Sequence, residues 1–164
     1  MSERTYNALF LGTSNSTRSQ MAEALLNFMA KGRIRAFSAG SHPSSQVHPL
    51  AAELIAGLGY PEEKLRTKGW DEFAVPGAPE MDFVITLCDK AAGEVCPVWP
   101  GHPAVAHWGI VDPGLSPDDH HAFKVAWLAL HLRIELFLAL PWEKLDIIAR
   151  EQHLRLIAQQ AAEA

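Results

Sequence analysis

Short apolar runs alternate with longer amphipathic stretches along this chain. Runs of five or six residues rich in apolar side chains predict buried β-strands over residues 7–11, 34–38, 82–87 and 104–108. Apolar residues at helical spacing predict helices over about residues 18–31, 48–59, 118–140 and 142–162. Because strands that alternate with helices usually run side by side in one direction, the pattern predicts a parallel sheet covered on both faces.

The apolar stripes of the helices indicate which side chains should face the sheet. In the first helix the stripe contains Met21, Leu25, Phe28 and Met29. In the third helix it contains Phe123, Trp127, Leu130, Ile134 and Phe137. The last segment offers Leu145, Ile148, Leu154 and Ile157, which are expected either to cap the sheet or to meet a second subunit.

Size and charge narrow the class of protein. The chain has 164 residues and is 48% hydrophobic, which suits one domain, with residues 1–140 as its body and residues 141–164 as a C-terminal helical extension. A net charge of −5 without a long basic run argues against nucleic-acid binding. No stretch approaches the ~18 apolar residues of a membrane helix, and no signal peptide is evident. Two cysteines are too few for a disulfide scaffold, so a cytoplasmic location is expected.

The segment between the first strand and the first helix has the composition of an anion-binding loop. It lies at the carboxyl end of a strand, where parallel sheets bind ligands. Successive backbone N–H groups and a helix start can surround an oxyanion, and the guanidinium of Arg18 can grip two oxygens. The predicted anion-binding residues are Gly12, Thr13, Ser14, Asn15, Ser16, Thr17, Arg18 and Ser19. The alternative is an ordinary strand-to-helix turn capped by Ser19 or a neighbour.

Several short motifs, spread over most of the chain in a fixed order, carry a family resemblance. The first is FLGTSNSTRSQMAEAL over residues 10–25, and the others lie at residues 38–40, 47–50, 67–68, 86–88, 94–97 and 107–113. Together they resemble the low-molecular-weight protein tyrosine phosphatases and the arsenate reductases built on that fold. The resemblance covers about residues 6–140. It implies a three-layer α/β sandwich, in which a four-stranded parallel sheet has helices on both faces.

The resemblance also reveals a departure inside the loop. The family carries a cysteine, five residues, an arginine and then a serine, and its nucleophilic cysteine falls on Gly12, which has no side chain to attack phosphorus or arsenic. Thr17 takes a second loop position that is cysteine in many relatives, but an alcohol without a base is a poor nucleophile. By the resemblance, Arg18 orients the oxyanion and Asp112 is the general acid. The alternative for Asp112-Pro113 is a simple turn.

Two further groups of residues bear on chemistry. Cys88 and Cys96 resemble cysteines that relay oxidation in thioredoxin-coupled reductases, but the relay lacks its first member, so a redox pair and two free thiols both stay open. His120 and His121 follow two aspartates at a predicted helix start, and we interpret that cluster as a solvated helix start stabilised by acidic charges. No metal and no cofactor are therefore predicted.

Three functions are compatible with these features. The favoured one is an arsenate-reductase-like pseudoenzyme, with arsenic resistance as the implied process, which binds phosphate, arsenate or sulfate. The second is an active arsenate reductase or phosphatase that uses another thiol such as Cys88, or one in which Gly12 replaces a native cysteine. The third is a regulatory module that binds a phosphorylated partner. For reductase chemistry the implied partner is a thiol reductant, either thioredoxin or glutathione with glutaredoxin.

Overall fold

The elements follow the predicted order closely. A computed structural model describes residues 5–61, 64–87 and 103–163 of the chain. The strands are β1 (Tyr6–Gly12), β2 (Ile34–Gly40), β3 (Phe83–Thr86) and β4 (Ala104–His107). The α-helices are α1 (Arg18–Ala30), α2 (Pro49–Ala56), α3 (His120–Leu138) and α4 (Ile147–Glu163). Short 3₁₀ helices occupy Trp70–Phe73, Pro113–Leu115 and Trp142–Lys144. The segment predicted as a fourth helix from residue 142 is thus a 3₁₀ turn followed by α4.

The four strands form one parallel sheet in the order β2-β1-β3-β4. β1 pairs with β2 from Tyr6 opposite Ile34 to Gly12 opposite Gly40. β3 pairs with β1 on one side and with β4 on the other. The predicted four-stranded parallel α/β fold is therefore confirmed. Because β1 is an interior strand, its carboxyl end at Gly12 lies between the carboxyl ends of its two neighbours.

Alternate side chains of the sheet enter two separate apolar cores. Ala8 and Phe10 of β1 face the larger core, which also receives side chains from all four α-helices. Leu9 and Leu11 face the smaller core on the opposite side, where the 3₁₀ helix that contains Phe73 packs. Both faces are thus covered by helical elements. Within the described residues, no helix has the length and apolar character needed to cross a bilayer.

The structure corrects the position predicted for Phe28, and it also leaves Ile148 of the last segment 68% exposed and so not capping the sheet. The sequence predicts Phe28 on the buried face of α1, but its side chain is 55% exposed. In the second half of α1 the buried positions are Leu26 and Ala30 instead. The first turns of α1 are buried on nearly every side. A single apolar stripe that begins at Met21 therefore does not predict which residues of the later turns are buried.

Candidate functional site

The loop between β1 and α1 is held from outside by backbone hydrogen bonds. Four of its carbonyl groups accept from N–H groups of residues 41–48, at 2.8–3.2 Å: Gly12 from Ser41, Thr13 from His42, Ser14 from Ser44 and Ser16 from His48. None of the hydrogen bonds among the described residues uses the N–H groups of residues 14–17 as donors. The loop therefore has its carbonyl oxygens occupied and leaves consecutive N–H donors available to a ligand.

Asn15 fixes the curvature of this loop. Its φ angle of 53° lies in the left-handed region, which asparagine adopts more readily than most residues. Its side chain is buried, and its Nδ2 donates to Ser19 Oγ at 2.9 Å. Its Oδ1 accepts from the backbone N–H of Lys68 at 3.0 Å and from Gln20 Nε2 at 3.0 Å. These bonds tie the loop to the first turn of α1 and to the segment around Lys68.

Two glycines at the ends of β1 and β2 differ in the space around them. A Cβ atom at Gly40 would lie 2.5 Å from the carbonyl oxygen of Thr13 and 2.9 Å from the backbone nitrogen of Asn15. A Cβ atom at Gly12 would lie 3.4 Å from Ser19 Oγ, which is an ordinary contact. Glycine is therefore required at position 40 for the loop to approach β2, whereas position 12 has room for a small side chain.

The loop meets a distant segment through its last two residues. The guanidinium of Arg18 is buried, and its Nη1 donates to the carbonyl oxygen of Ile110 at 2.8 Å. Its Nη2 lies 3.6 Å from Asp112 Oδ2. The hydroxyl of Thr17 donates to Asp112 Oδ1 at 3.0 Å, and the N–H of Gly114 donates to the same oxygen at 2.8 Å. The structure thus brings Arg18 and Asp112, both singled out in the sequence, into one site.

The start of α1 lacks the cap that an ordinary turn would supply. Thr17 is the N-cap residue, but its side chain makes no capping hydrogen bond because its hydroxyl binds Asp112. Ser19 is the second residue of α1, and its Oγ accepts a hydrogen bond from Nδ2 of Asn15. The N-terminal N–H groups of α1 are therefore not satisfied by a side chain, and the structure disfavours the interpretation as a capped turn.

A buried polar network behind the loop is a feature that the sequence analysis missed. Glu23 of α1 accepts hydrogen bonds from Ser38 Oγ at 2.9 Å and from the Tyr60 hydroxyl at 3.0 Å. The ammonium of Lys68 lies 3.7 Å from the same carboxylate. Burial raises the pKa of Tyr60 to about 12, with a further contribution from the charge of Glu23.

Burial also lowers the pKa of Lys68, an effect that outweighs the attraction of Glu23. The signal for the network was available, because Glu23, Ser38 and Lys68 all lie in the motifs that carry the family resemblance.

The remaining candidates lie elsewhere. Cys88 and Cys96 are outside the described residues. Asp119 is the N-cap of α3, where its Oδ1 accepts from the N–H groups of His121 and Ala122. This agrees with the interpretation of that cluster as a helix start. In the part of the chain that the structure describes, no group of three or more histidine, cysteine or acidic residues is arranged to hold a metal ion.

Comparison with solved structures places the fold in a known class. The chain resembles "An arsenate reductase in the phosphate binding state" with a TM-score of 0.64 and 25% identity, over 82% of this chain and 98% of that one. It also resembles a thioredoxin-dependent arsenate reductase of Corynebacterium glutamicum, with a TM-score of 0.59 and 26% identity, over 82% of this chain and 61% of that one. These similarities place the chain in the class of parallel α/β proteins with the fold of the arsenate reductases.

The family follows from sequence comparison. Residues 7–140 match the family described as "Low molecular weight phosphotyrosine protein phosphatase", and this chain belongs to that family. Among curated proteins, an arsenate reductase of Shouchella clausii is 33% identical over 104 residues, which are 63% of this chain and 71% of that protein. The family resemblance predicted from the motifs is confirmed.

Proposed function

We propose that this protein is an arsenate-reductase-like pseudoenzyme that binds phosphate or arsenate in the loop of residues 12–19. Gly12 takes the place of the family's nucleophilic cysteine, so covalent turnover through that position is lost. The observation that carries the proposal is the loop itself. Its carbonyl groups are engaged by residues 41–48, and its N–H groups at residues 14–17 have no acceptor among the described residues. The buried guanidinium of Arg18, which follows the loop, is held by the carbonyl oxygen of Ile110 and lies beside Asp112.

Electrostatics favour binding without catalysis. The donors of the loop are mostly backbone groups, so replacing one side chain leaves them in place. A thiolate at position 12 would place a negative charge beneath a bound dianion, and Gly12 removes that repulsion. Phosphate, arsenate or sulfate is therefore expected to bind at least as well as it would beside a thiolate.

Calorimetric titration with phosphate and arsenate tests the proposal. Arg18→Ala removes charge-assisted hydrogen bonds, and we expect it to weaken binding by roughly 100-fold. Lys144→Ala, an exposed cation of the 3₁₀ helix Trp142–Lys144, is the matched charge control and should bind normally. Arg18→Gln, with circular dichroism of each variant, separates lost binding from lost folding. Absence of binding heat at millimolar anion in the unmodified protein would contradict the proposal.

Restoring the thiol tests the catalytic half of the proposal. Position 12 accepts a Cβ atom at ordinary contact distance, so Gly12→Cys should fold normally and place its side chain beside Ser19. We expect the unmodified protein to produce no arsenite above background, and Gly12→Cys to reduce arsenate with dithiothreitol or thioredoxin as thiol reductant. Arsenate turnover by the unmodified protein that Cys88→Ser abolishes would favour the alternative nucleophile instead.

Two parts of this proposal extend beyond the site. A variant with a reactive thiol, such as Gly12→Cys, would use a thiol reductant such as thioredoxin, or glutathione with glutaredoxin. The similarity to a thioredoxin-dependent arsenate reductase supports thioredoxin as that partner. Cytoplasmic location remains a prediction from composition.

A further inference from the structure

Asp112 is surrounded by hydrogen-bond donors. Its Oδ1 accepts from the Thr17 hydroxyl at 3.0 Å and from the Gly114 N–H at 2.8 Å. Its Oδ2 lies 3.6 Å from Nη2 of Arg18. The described groups that contact this carboxyl group are a donating hydroxyl, an N–H and a guanidinium, so its oxygens act as acceptors. Asp112 therefore presents acceptor oxygens beside the guanidinium that is proposed to grip the anion.

The carboxylate and a bound oxyanion would share one arginine. An oxyanion that carries no proton meets Asp112 as a second acceptor, so the two repel each other and neither satisfies the other. An oxyanion that keeps a proton on one oxygen can donate it to the carboxylate and turn that repulsion into a charge-assisted hydrogen bond. At neutral pH, phosphate and arsenate keep at least one proton, whereas sulfate keeps none.

We propose that Asp112, positioned by Thr17, makes this loop select protonated tetrahedral oxyanions, phosphate and arsenate, over sulfate. The inference rests on the proposed function and narrows the anions named there. A hydrogen bond from a protonated anion to the carboxylate stabilises the complex, whereas repulsion by an unprotonated anion destabilises it. We therefore expect sulfate to bind at least about tenfold more weakly than phosphate.

Thr17 is assigned as a positioning residue because, among the described residues, its hydroxyl donates to Asp112 alone. Its side chain is buried, it does not cap α1, and its hydroxyl donates to Asp112 across 95 residues of sequence. A cysteine at this position would offer only a weak S–H donor. The threonine hydroxyl thus fixes the orientation of the carboxylate relative to Arg18.

Calorimetry with the full chain at neutral pH and constant ionic strength tests this, with phosphate, arsenate and sulfate as probes. Asp112→Asn keeps the shape and supplies an N–H donor, so sulfate binding should rise at least about tenfold and the preference for phosphate should disappear. Thr17→Val removes the hydroxyl and should reduce the phosphate-to-sulfate ratio, whereas Thr17→Ser should retain it. Asp118→Asn, at an exposed aspartate, is the charge control and should leave the ratio unchanged.

The outcomes separate this inference from the proposed function. Tight phosphate binding, weak sulfate binding and loss of the difference in Asp112→Asn support it. Equal binding of all three anions by the unmodified protein overturns the selectivity and leaves oxyanion binding intact. A phosphate-to-sulfate ratio that survives in Asp112→Asn overturns the role of Asp112. Binding of none of the anions by any variant overturns both proposals.

Discussion

At Gly40 a single missing methyl group decides how closely the loop can approach β2. The space that a Cβ atom would occupy holds the carbonyl oxygen of Thr13 and the backbone nitrogen of Asn15, at 2.5 and 2.9 Å. Backbone atoms cannot rotate away as a flexible side chain can. The shape of the loop therefore depends on a glycine in a neighbouring strand, 28 residues away from Gly12 in the sequence, as well as on the loop's own residues.

We expect Gly40→Ala to displace the loop and to lower the free energy of unfolding by about 1–3 kcal/mol, as overpacking in a core does. Phosphate binding should weaken as well. Gly69→Ala is the matched control, because its Cβ would meet no atom closer than 3.9 Å and its φ angle of −83° suits alanine. Urea unfolding and calorimetry measure both effects. Equal stability of the two variants would contradict the close approach.

The phenol of Tyr60, in the network behind the loop, should make the stability of the protein depend on pH. Its pKa rises from 10 to about 12 because of burial and the charge of Glu23, so the folded state holds the phenol proton more tightly than the unfolded state does. Stability relative to Tyr60→Phe is then complete below pH 10 and declines as the pH rises toward 12. The half-exposed ring is screened by solvent, so we expect a decline of roughly 1 kcal/mol.

Urea unfolding of both proteins at pH 8 and pH 11 measures this difference. Glu23→Gln should reduce the decline, because it removes the charge that opposes ionisation of Tyr60. A stability difference between the unmodified protein and Tyr60→Phe that stays constant across this pH range would contradict the assignment.

At the scale of elements, α4 completes the edge of the sheet. Glu151 of α4 accepts a hydrogen bond from the backbone N–H of Val105 at 2.8 Å, and the carbonyl oxygen of Leu154 accepts from the Trp108 indole at 3.0 Å. Leu154 and Ile157 are buried in the larger core. Glu151 thus satisfies one backbone group of the edge strand, and a covered edge pairs less readily with another chain.

The docking of α4 predicts a sharp contrast between two leucines. Leu154→Ala should lower the free energy of unfolding by about 2–5 kcal/mol, because it leaves a cavity in a packed core. Leu156→Ala, on the other side of the same helix and 47% exposed, should change it by less than about 0.5 kcal/mol. Chemical denaturation of both variants tests this. Similar losses would mean that α4 does not dock through Leu154.

At the scale of the whole molecule, the candidate site joins parts of the chain that are far apart in sequence. The loop is held by residues 41–48, by Lys68 and by Asp112, so its shape is a property of the folded state. A ligand bound only by the folded state adds to stability by an amount that grows with the logarithm of its concentration above the dissociation constant. The proposed binding of an anion at this loop should therefore be coupled to global unfolding.

Thermal unfolding in the presence of phosphate follows from this linkage. At 100 times its dissociation constant, phosphate should stabilise the protein by about 2.7 kcal/mol, which raises the unfolding midpoint by about 5–11 °C. Arg18→Ala, with roughly 100-fold weaker binding, should gain only about 0.4 kcal/mol at the same phosphate concentration. Stabilisation of both proteins to the same extent would show an effect of salt on the whole molecule, without a site at the loop.

Local patterns in the sequence sufficed for the elements and for the place of the candidate loop between β1 and α1. Apolar periodicity predicted all four strands and the helices, because it depends only on neighbouring residues and on the need to bury one face. The glycine, the small polar residues and Arg18 located the loop, and the left-handed geometry of Asn15 follows from the side-chain chemistry of asparagine.

Contacts between distant residues needed the tertiary structure. Neither the Thr17–Asp112 hydrogen bond nor the network around Glu23 has a local pattern, since each partner alone is an ordinary polar residue. The exposure of Phe28 and the docking of α4 depend on which helices share a face. Periodicity specifies that a face is buried, but only packing decides what it is buried against, and that choice sets the chemistry beside Arg18.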